Sequence, residues 1–257
     1  HANWIADISF DYFGFTIPVN NKTTLGFNIT SVTMDEMEVT RYGNENTGET
    51  FKAADYAIGS TYAINLTDRF SVGLNAKYIQ QTIANSHAKG FALDFGTLFI
   101  TPFGFNLGTS ISNFGSKLMM TGDDLLIGAD VDENINGNNE SVTGTLSTDY
   151  FDLPLVLRIG VSDEFKISSR GSIVLSMDAI SPNDNANYIN IGSEINFFDG
   201  LIFLYSGMNS LLLEDKESEF SVGGGVRLPN NSLSINFTHE QMKFLGNSQQ
   251  VSISINY

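Results

Sequence analysis

The amino-acid sequence predicts an all-β protein, an antiparallel transmembrane β-barrel of about 14 strands in the full protein with about 13 in this chain. In segment after segment, large apolar residues alternate with small or polar ones. The connections between these segments are alternately short and long. Alternation indicates a strand with two different faces, and loops of unequal length at the two ends are typical of outer-membrane barrels.

The segment 55–64 shows the alternation clearly, because Tyr56 and Ile58 lie on one face and Gly59 and Ala63 on the other. A membrane barrel turns its bulky face to lipid, whereas a soluble β-sandwich or β-helix keeps bulky residues inside. The recurring small residues of the second face favour the membrane barrel. We expect strands at about 4–19, 24–40, 55–64, 69–83, 91–100, 105–114, 153–162, 172–180, 188–197, 201–210, 219–228, 232–242 and 249–257.

Turn residues fill the short connections, which lie at about 20–22, 65–68, 101–104, 198–200 and 229–231. The longer, polar connections lie at about 41–55, 84–90, 115–150, 181–187, 211–218 and 243–248. The connection 162–171 is longer than its place in this alternation predicts. If the short turns and the C-terminus face the periplasm, the long loops are extracellular.

A closed barrel with an even number of strands needs one strand more than the thirteen segments, since no edge can stay unpaired in lipid. We therefore expect the first strand and a preceding segment to lie before His1, outside this sequence. Residues 1–257 are expected to form a single barrel domain in a bacterial outer membrane.

Composition excludes several classes of protein. Acidic residues outnumber basic ones by 29 to 13, and a surface of that sign repels nucleic acid. The chain has no cysteine, which excludes disulfides and thiolate metal sites. Hydrolase motifs are absent, and Gly223-Gly224-Gly225 lies in a strand, where glycine admits a close approach rather than binding phosphate. We therefore expect a non-enzymatic protein without a cofactor, except for the calcium considered below.

Six charged residues fall on the predicted lumen face: Lys77, Asp94, Arg158, Asp178, Glu194 and Arg227. Lys77 and Asp94 flank the connection 84–90 symmetrically, and Arg158 and Asp178 flank 162–171 in the same way. Each pair should therefore meet across neighbouring strands. Two interpretations stay open, that these residues are ion pairs satisfying one another, or that they have a role in selectivity or ligand binding.

The long 115–150 loop contains a partial calcium-loop pattern. Asp132, Asn134 and Asn136 precede Gly137 with the D-x-N-x-N-G spacing that supplies oxygen ligands to Ca²⁺. Thr143 stands where the bidentate acid of such a loop belongs, so a solvated acidic loop is the alternative. The same loop has apolar residues that either fold it over the barrel mouth or dock a partner: Met119, Met120, Leu125 and Leu126.

Several strings, in their order and spacing, resemble the PorV/PorQ family of FadL-like outer-membrane barrels, common in Bacteroidetes. The strings are Trp4-Ile5-Ala6-Asp7-Ile8, Asn46-Thr47-Gly48-Glu49, Leu66-Thr67-Asp68-Arg69-Phe70-Ser71-Val72-Gly73, Ala92-Leu93-Asp94-Phe95-Gly96-Thr97-Leu98, Ile111-Ser112-Asn113-Phe114-Gly115 and Leu153-Pro154-Leu155-Val156-Leu157-Arg158-Ile159-Gly160. The resemblance extends from residue 4 to Tyr257. Members of the family also carry a signal peptide and an Asn-Pro-Ala stretch that this sequence lacks.

The resemblance implies an accessory or anchoring subunit that binds a secreted or surface protein, as in type IX secretion. Its partners would be outer-membrane lipid and a protein at the extracellular loops or in the lumen. The alternative is a FadL-like channel for hydrophobic small molecules across the outer membrane. A channel predicts an apolar pocket under the loops and a lateral opening or strand kink, which the change of phase at Phe13–Phe15, after Phe10 and Tyr12, would mark.

Overall fold

The computed structural model describes residues 1–4, 8–44, 46–130, 142–214, 216, 218–228, 232–243 and 246–256. The barrel strands are β1 (Ala2–Asn3), β2 (Ser9–Pro18), β3 (Thr23–Thr33), β6 (Ala53–Thr67), β7 (Phe70–Ile83), β8 (Ser86–Ile100), β9 (Asn106–Gly115), β13 (Val156–Ser168), β14 (Gly171–Pro182), β15 (Tyr188–Phe197), β16 (Ile202–Leu211), β17 (Ser218–Arg227), β18 (Leu233–Met242) and β19 (Asn247–Ile255). The shorter strands are β4 (Met37–Glu38), β5 (Thr50–Phe51), β10 (Thr121–Gly122), β11 (Leu126–Ala129) and β12 (Val142–Thr145), and Asp123–Leu125 form a 3-10 turn.

The fourteen barrel strands form one closed antiparallel sheet, which confirms the predicted fold class. Strands pair in chain order from β2 to β19, and β1 lies between the last and the first of these. Ala2 is opposite Gln250 on β19 and Phe10 on β2. The sequence analysis placed the whole fourteenth strand before His1, whereas Ala2 and Asn3 already occupy its position in the sheet. Among the described residues no helix has the length and apolarity to cross a membrane.

Connections at one end of the barrel, called here the short-turn end, are all brief, and they include the turn between Ser168 and Gly171. The other end, called the long-loop end, has the segments 34–52 and 116–155 and five shorter connections. Two predicted connections were wrong. Residues 162–171 are mostly strand, because the β13–β14 ladder continues to the turn. Residues 84–90 are also mostly strand, since Ile83 already pairs with Ser86. Both segments are rich in polar residues, and this composition, which is typical of loops, led to the wrong predictions.

The outer face of the barrel has an apolar band between two levels of aromatic rings. On β7 and β8, the rings of Phe70 and Phe99 lie 6.3 Å apart near the short-turn end. The rings of Tyr78 and Phe91 lie 5.4 Å apart towards the long-loop end. Eight strand residues tilted as in membrane barrels separate the two levels by about 20 Å. This is close to the height of the apolar band in transmembrane barrels.

The strand kink that was predicted in β2 at the change of phase is absent. The β2–β3 ladder runs without a register shift from Ser9 to Pro18. Phe13 and Phe15 therefore point outwards while Phe10 and Tyr12 point inwards, in one regular alternation. The change of phase in the sequence therefore arises because Phe10 and Tyr12 are aromatic residues on the lumen face, and not because the strand has a bulge.

Candidate functional site: the barrel lumen

A hydrogen-bonded network, called here the Lys77 network, crosses the inner face from β3 to β9. Lys77 Nζ lies 2.7 Å from Asp94 Oδ1, and their side chains are only 14% and 23% exposed. Asp94 also accepts hydrogen bonds from the Asn113 backbone N–H at 2.8 Å and from Asn75 Nδ2 at 3.0 Å. Asn75 Oδ1 in turn accepts from Thr61 at 3.0 Å and from Asn28 at 3.2 Å. The chain therefore satisfies this buried charge with its own groups.

Asn113 forms a β-bulge in β9 that the network holds in place. The β8–β9 register shifts between Leu93 and Phe95, and Asn113 has a positive φ of 63°. Asparagine tolerates this left-handed conformation better than most residues. Its Nδ2 donates to the carbonyl of Pro154 at 2.9 Å, which ties the end of the β9 ladder to the chain entering β13. Sequence analysis did not find this bulge.

One of the two predicted ion pairs forms and the other does not. The pairing of Lys77 with Asp94 is confirmed, but the ion pairs of the described residues do not include Arg158 with Asp178. Lys77 is opposite Ala92, two residues before Asp94, whereas Arg158 is opposite Ile180, two residues after Asp178. Both pairs are thus diagonal neighbours rather than directly opposite residues, a spacing that long side chains can span but that does not by itself join them. The prediction for Arg158 and Asp178 was therefore wrong.

A lumen cavity of about 370 Å³ lies on the inner faces of β14, β15 and β16, away from the Lys77 network. Asp178 and Glu194, two of the predicted lumen charges, line this cavity. Sequence analysis missed the other polar groups beside them, Asn190, Asn209 and Tyr205. Their signal in the sequence was weak, because tyrosine also occurs on the outer face, as at Tyr56 and Tyr62, and asparagine is common in turns.

The barrel wall is thin at this cavity. A second depression, of about 420 Å³ and rimmed by Leu175, Met208 and Phe220, shares wall residues with the cavity: Ser176, Ile191, Gly192, Ser193, Ser206 and Gly207. Because successive strand residues point to opposite faces, the two spaces lie back to back across the sheet. Outside, the hydroxyls of Ser193 and Ser206 are 3.2 Å apart within an otherwise apolar surface.

A second β-bulge borders the thin part of the wall. The β15–β16 register shifts between Ile189 and Ile191, opposite Ser210, which has a φ of 54°. The Ser210 backbone N–H donates to Asn190 Oδ1 at 2.9 Å. The ladder is thus irregular at the place where the wall lacks large side chains, and bulges locally weaken strand pairing.

Arg227, the last predicted lumen charge, lies near the short-turn end. Its guanidinium carbon is 4.7 Å from the centre of the Phe203 ring. A Cβ at Gly225 would come within 2.6 Å of that ring, and one at Gly223 within 2.5 Å of the Tyr205 ring. The expectation that these glycines admit a close approach is confirmed, since each lets an aromatic ring lie on the inner face of β17.

An inner loop covers part of the lumen at the long-loop end. Leu118 is fully buried against Ala88, Ala92 and Leu153, and Met120 packs on the same cluster. Gly90 leaves room for this side chain, because a Cβ at residue 90 would clash with Leu118 Cδ2. Backbone hydrogen bonds of 2.8 and 2.9 Å join Leu118 to Phe151.

The four predicted partner residues do not form one patch. Met120 packs on the buried cluster around Leu118, and Met119 lies beside it in the chain. Leu126, in contrast, belongs to the β11–β12 hairpin and is 48% exposed, and Leu125 ends the 3-10 turn before that hairpin. Met120 therefore lies in the part of the loop that packs on the barrel, whereas Leu126 is exposed on the hairpin. The predicted calcium ligands Asp132, Asn134 and Asn136 lie outside the described residues.

Asp124 anchors the start of the long loop to the turn between β7 and β8. Its carboxylate accepts hydrogen bonds from the Asn85 backbone N–H at 2.7 Å, from Asn85 Nδ2 at 3.0 Å and from Ser86 Oγ at 3.0 Å. The side-chain and backbone donors of Asn85 lower the pKa of Asp124 below its ordinary value.

The depressed pKa of Asp124 predicts an acid-sensitive anchor. The contribution of the carboxylate to stability is present at neutral pH and is lost as the pH falls through the folded-state pKa, which lies below the ordinary aspartate range. We expect the amide of Asn85 to be protected from hydrogen exchange at pH 7 and to lose that protection below this range. Asp124→Asn should show the weaker protection already at pH 7 and little further change on acidification. Equal pH dependence in both proteins would contradict this assignment.

Known proteins are similar to this chain in fold, not in sequence. No protein-family profile matches the sequence, and no curated protein matches it. The solved structure of the Pseudomonas putida toluene transporter TodX has a TM-score of 0.54 at 9% identity, covering 96% of this chain and 85% of that one. The monoaromatic hydrocarbon channel CymD has a TM-score of 0.54 at 11% identity, covering 96% and 84%. A Pseudomonas aeruginosa FadL homologue has a TM-score of 0.50 at 11% identity, covering 95% and 74%.

These similarities define the class of fold. The chain is a fourteen-strand antiparallel barrel that matches FadL-like outer-membrane barrels. The resemblance to FadL-like barrels in general is therefore confirmed, while the narrower PorV/PorQ resemblance stays a prediction.

Proposed function

We propose that this chain is a non-enzymatic outer-membrane channel for hydrophobic small molecules. In the proposed orientation the long loops are extracellular and β19 ends on the periplasmic side, with the apolar band in lipid. TodX is a toluene transporter and CymD a monoaromatic hydrocarbon channel, and these roles support the choice by analogy of fold. The observation that carries it is specific to this chain, namely the thin wall between β15 and β16.

At this wall an apolar molecule has a short route from lumen to lipid. The lumen cavity and the outer depression share Gly192 and Gly207, which are directly opposite each other and have no side chains to block the way. Leu175, Met208 and Phe220 around the outer depression offer an apolar environment. The neighbouring bulge at Ser210 leaves the β15–β16 ladder with fewer regular hydrogen bonds to break. Separation of these two strands would connect the cavity with the membrane.

A disulfide across the two strands tests this route. Ser193→Cys/Ser206→Cys places two thiols where hydroxyls lie 3.2 Å apart, and the chain has no other cysteine. We expect the oxidised variant in outer-membrane vesicles to take up naphthalene as slowly as vesicles without the protein. Reduction should restore the rate, because strand separation is again permitted.

A matched pair elsewhere in the barrel provides the control. Thr97 and Thr109 are opposite each other on β8 and β9, with hydroxyl oxygens 2.7 Å apart. The oxidised Thr97→Cys/Thr109→Cys variant should take up naphthalene at the unmodified rate. Equal inhibition by both disulfides, or inhibition by neither, would contradict passage between β15 and β16.

The second candidate is an accessory barrel of the PorV/PorQ type that binds a secreted or surface protein. Apolar side chains on the β11–β12 hairpin favour it, since Leu126, Ile127 and Val142 are 48%, 41% and 43% exposed. Exposed apolar surface on a projecting hairpin is typical of a protein contact. Calcium binding by Asp132, Asn134 and Asn136, in the segment between the two strands, stays part of this second candidate.

Purification of the native protein from membranes separates the two candidates. A polypeptide that co-purifies in fixed stoichiometry, and dissociates when Leu126 and Ile127 are replaced by serine, would support the accessory role. Recovery of the barrel alone would contradict that role and leave the channel.

A further inference from the structure

Lys89 faces outwards from the barrel wall, just above the upper level of aromatic rings. Phe91, two residues away on β8, belongs to that level together with Tyr78, so strand alternation places Lys89 on the same outer face. The lysine is exposed and lies directly opposite Gln80 on β7. The other cations of the described barrel strands face the lumen: Lys77, Arg158, Lys166 and Arg227.

The height of Lys89 on the barrel is that of lipid headgroups. Rings of aromatic residues in membrane barrels lie at the edge of the hydrocarbon. Two strand residues, tilted as in such barrels, raise Lys89 about 5 Å above Phe91 towards the long-loop end. The headgroup layer of a bilayer is about 5–7 Å thick beyond the hydrocarbon on each side. The ammonium group of Lys89 therefore lies among headgroups rather than among acyl chains.

Lys89 has no counter-charge in the described part of the chain, where it makes neither a hydrogen bond nor an ion pair. Three other exposed cations of the long-loop end each have a carboxylate: Arg41 with Glu49, Lys52 with Glu36 and Lys117 with Asp152. The carboxylate of Asp124, above β8, already accepts hydrogen bonds from Asn85 and Ser86. An unpaired cation in a chain with 29 acidic and 13 basic residues indicates an anion from outside the chain.

Two further donors lie beside Lys89 on the outer face. Thr82 on β7 and His87 on β8 are directly opposite each other, one outward-facing row further towards the long-loop end. The hydroxyl oxygen of Thr82 accepts a hydrogen bond from Gln80 Nε2 at 3.4 Å, so its own O–H can donate outwards. The imidazole of His87 offers an N–H. Donors above and aromatic rings below complement an anionic group that is attached to acyl chains.

We propose that Lys89, with His87 and Thr82, binds the phosphate of a lipid headgroup in the leaflet at the long-loop end. A phosphate offers several acceptor oxygens to the ammonium group, and basic residues at a membrane surface attract anionic lipids. The rings of Tyr78 and Phe91 would contact the upper part of the acyl chains. This site is separated from β15 by β9, β13 and β14, so the proposal does not depend on the channel function.

Two lipids with the same acyl chains test the site. Binding of dimyristoyl phosphatidate and of dimyristoylglycerol to the detergent-solubilised full chain is measured by native mass spectrometry. We expect the phosphatidate to bind about fivefold more tightly, since one basic residue at a membrane surface contributes about that factor towards an anionic headgroup.

Inorganic phosphate distinguishes a lipid site from a site for phosphate alone. At a concentration equal to that of the lipid it should not displace the phosphatidate, because it makes no contact with the rings of Tyr78 and Phe91. Displacement under these conditions would overturn the assignment to a lipid.

Variants assign the preference for phosphatidate to Lys89. Lys89→Gln should bind the two lipids equally, and Lys89→Arg should keep the preference. Lys52→Gln removes the same charge at the same end of the barrel, from a lysine that lies 3.0 Å from Glu36, and should also keep it. Equal binding of the two lipids by the unmodified chain, a preference that survives Lys89→Gln, or an equal loss in Lys52→Gln would overturn the proposal.

Discussion

Replacing Asp94 with alanine is expected to lower the free energy of unfolding by about 3 kcal/mol. The substitution leaves Lys77, whose side chain is 14% exposed, without its counter-charge in the lumen wall. It also removes the acceptor of the Asn113 backbone N–H, which holds the β9 bulge, and the acceptor of Asn75. Removing one partner of a buried pair costs more than removing both, because an uncompensated charge stays behind.

A double-mutant cycle separates the ion pair from the other bonds of Asp94. Unfolding by guanidinium in detergent is compared for Asp94→Ala, Lys77→Met and the double variant. We expect the double variant to be more stable than the sum of the single effects predicts, with a coupling of about 1–3 kcal/mol. Asp184→Ala removes an exposed carboxylate of the β14–β15 loop that has no ion pair in the described structure, and should change stability by less than about 0.5 kcal/mol. Strict additivity would show that the pair contributes no coupling.

Replacing Leu118 with aspartate is expected to release the inner loop from the barrel wall. The side chain is completely buried among Ala88, Ala92 and Leu153, so the substitution places a carboxylate in an apolar site with no cation among its buried neighbours. Leu118→Ala should have a smaller effect in the same direction, about 3 kcal/mol from lost contacts and the cavity left behind. Because this loop can open while the barrel stays folded, both substitutions are expected to lower the free energy of loop opening rather than that of barrel unfolding.

Hydrogen exchange measures the opening of this loop. For Leu118→Ala, the protection of the Leu118 and Phe151 amides, which are bonded to each other's carbonyls, should fall on the order of 100-fold. Leu118→Asp should abolish the protection, while Leu126→Asp, at a residue that is 48% exposed, should leave it unchanged. Full protection in Leu118→Asp would contradict the packing of the loop on β8.

Alternation in the sequence was sufficient to predict the barrel, because lipid outside and a small-residue lumen inside select different residues at every second position. The lumen charges followed from the same rule, and the pairing of Lys77 with Asp94 is confirmed. Alternation assigns each residue to a face of the sheet, however, and does not determine which residues of neighbouring strands lie opposite each other. Lys77 with Asp94 and Arg158 with Asp178 are both offset by two residues from directly opposite positions, so alternation and spacing could not tell which of the two pairs would meet.

The bulges and the inner loop could not be predicted from the sequence for a different reason. Each depends on a contact between distant parts of the chain, such as the bond from Asn113 to Pro154 or the burial of Leu118 against β8. Leu118 is one apolar residue among several in a loop of mixed composition. Leu125 and Leu126, which were named as candidates instead of Leu118, are equally apolar. The thin wall could not be predicted either, since it depends on Gly192 and Gly207 lying opposite each other in the β15–β16 ladder.

Uptake of naphthalene by outer-membrane vesicles that contain or lack this protein tests the central claim most directly. Naphthalene is neutral and fluorescent, so its entry into the vesicles can be followed directly. The proposed channel predicts faster uptake in vesicles with the protein, reduced to the background rate by the oxidised Ser193→Cys/Ser206→Cys pair. Equal rates in vesicles with and without the protein would contradict the channel.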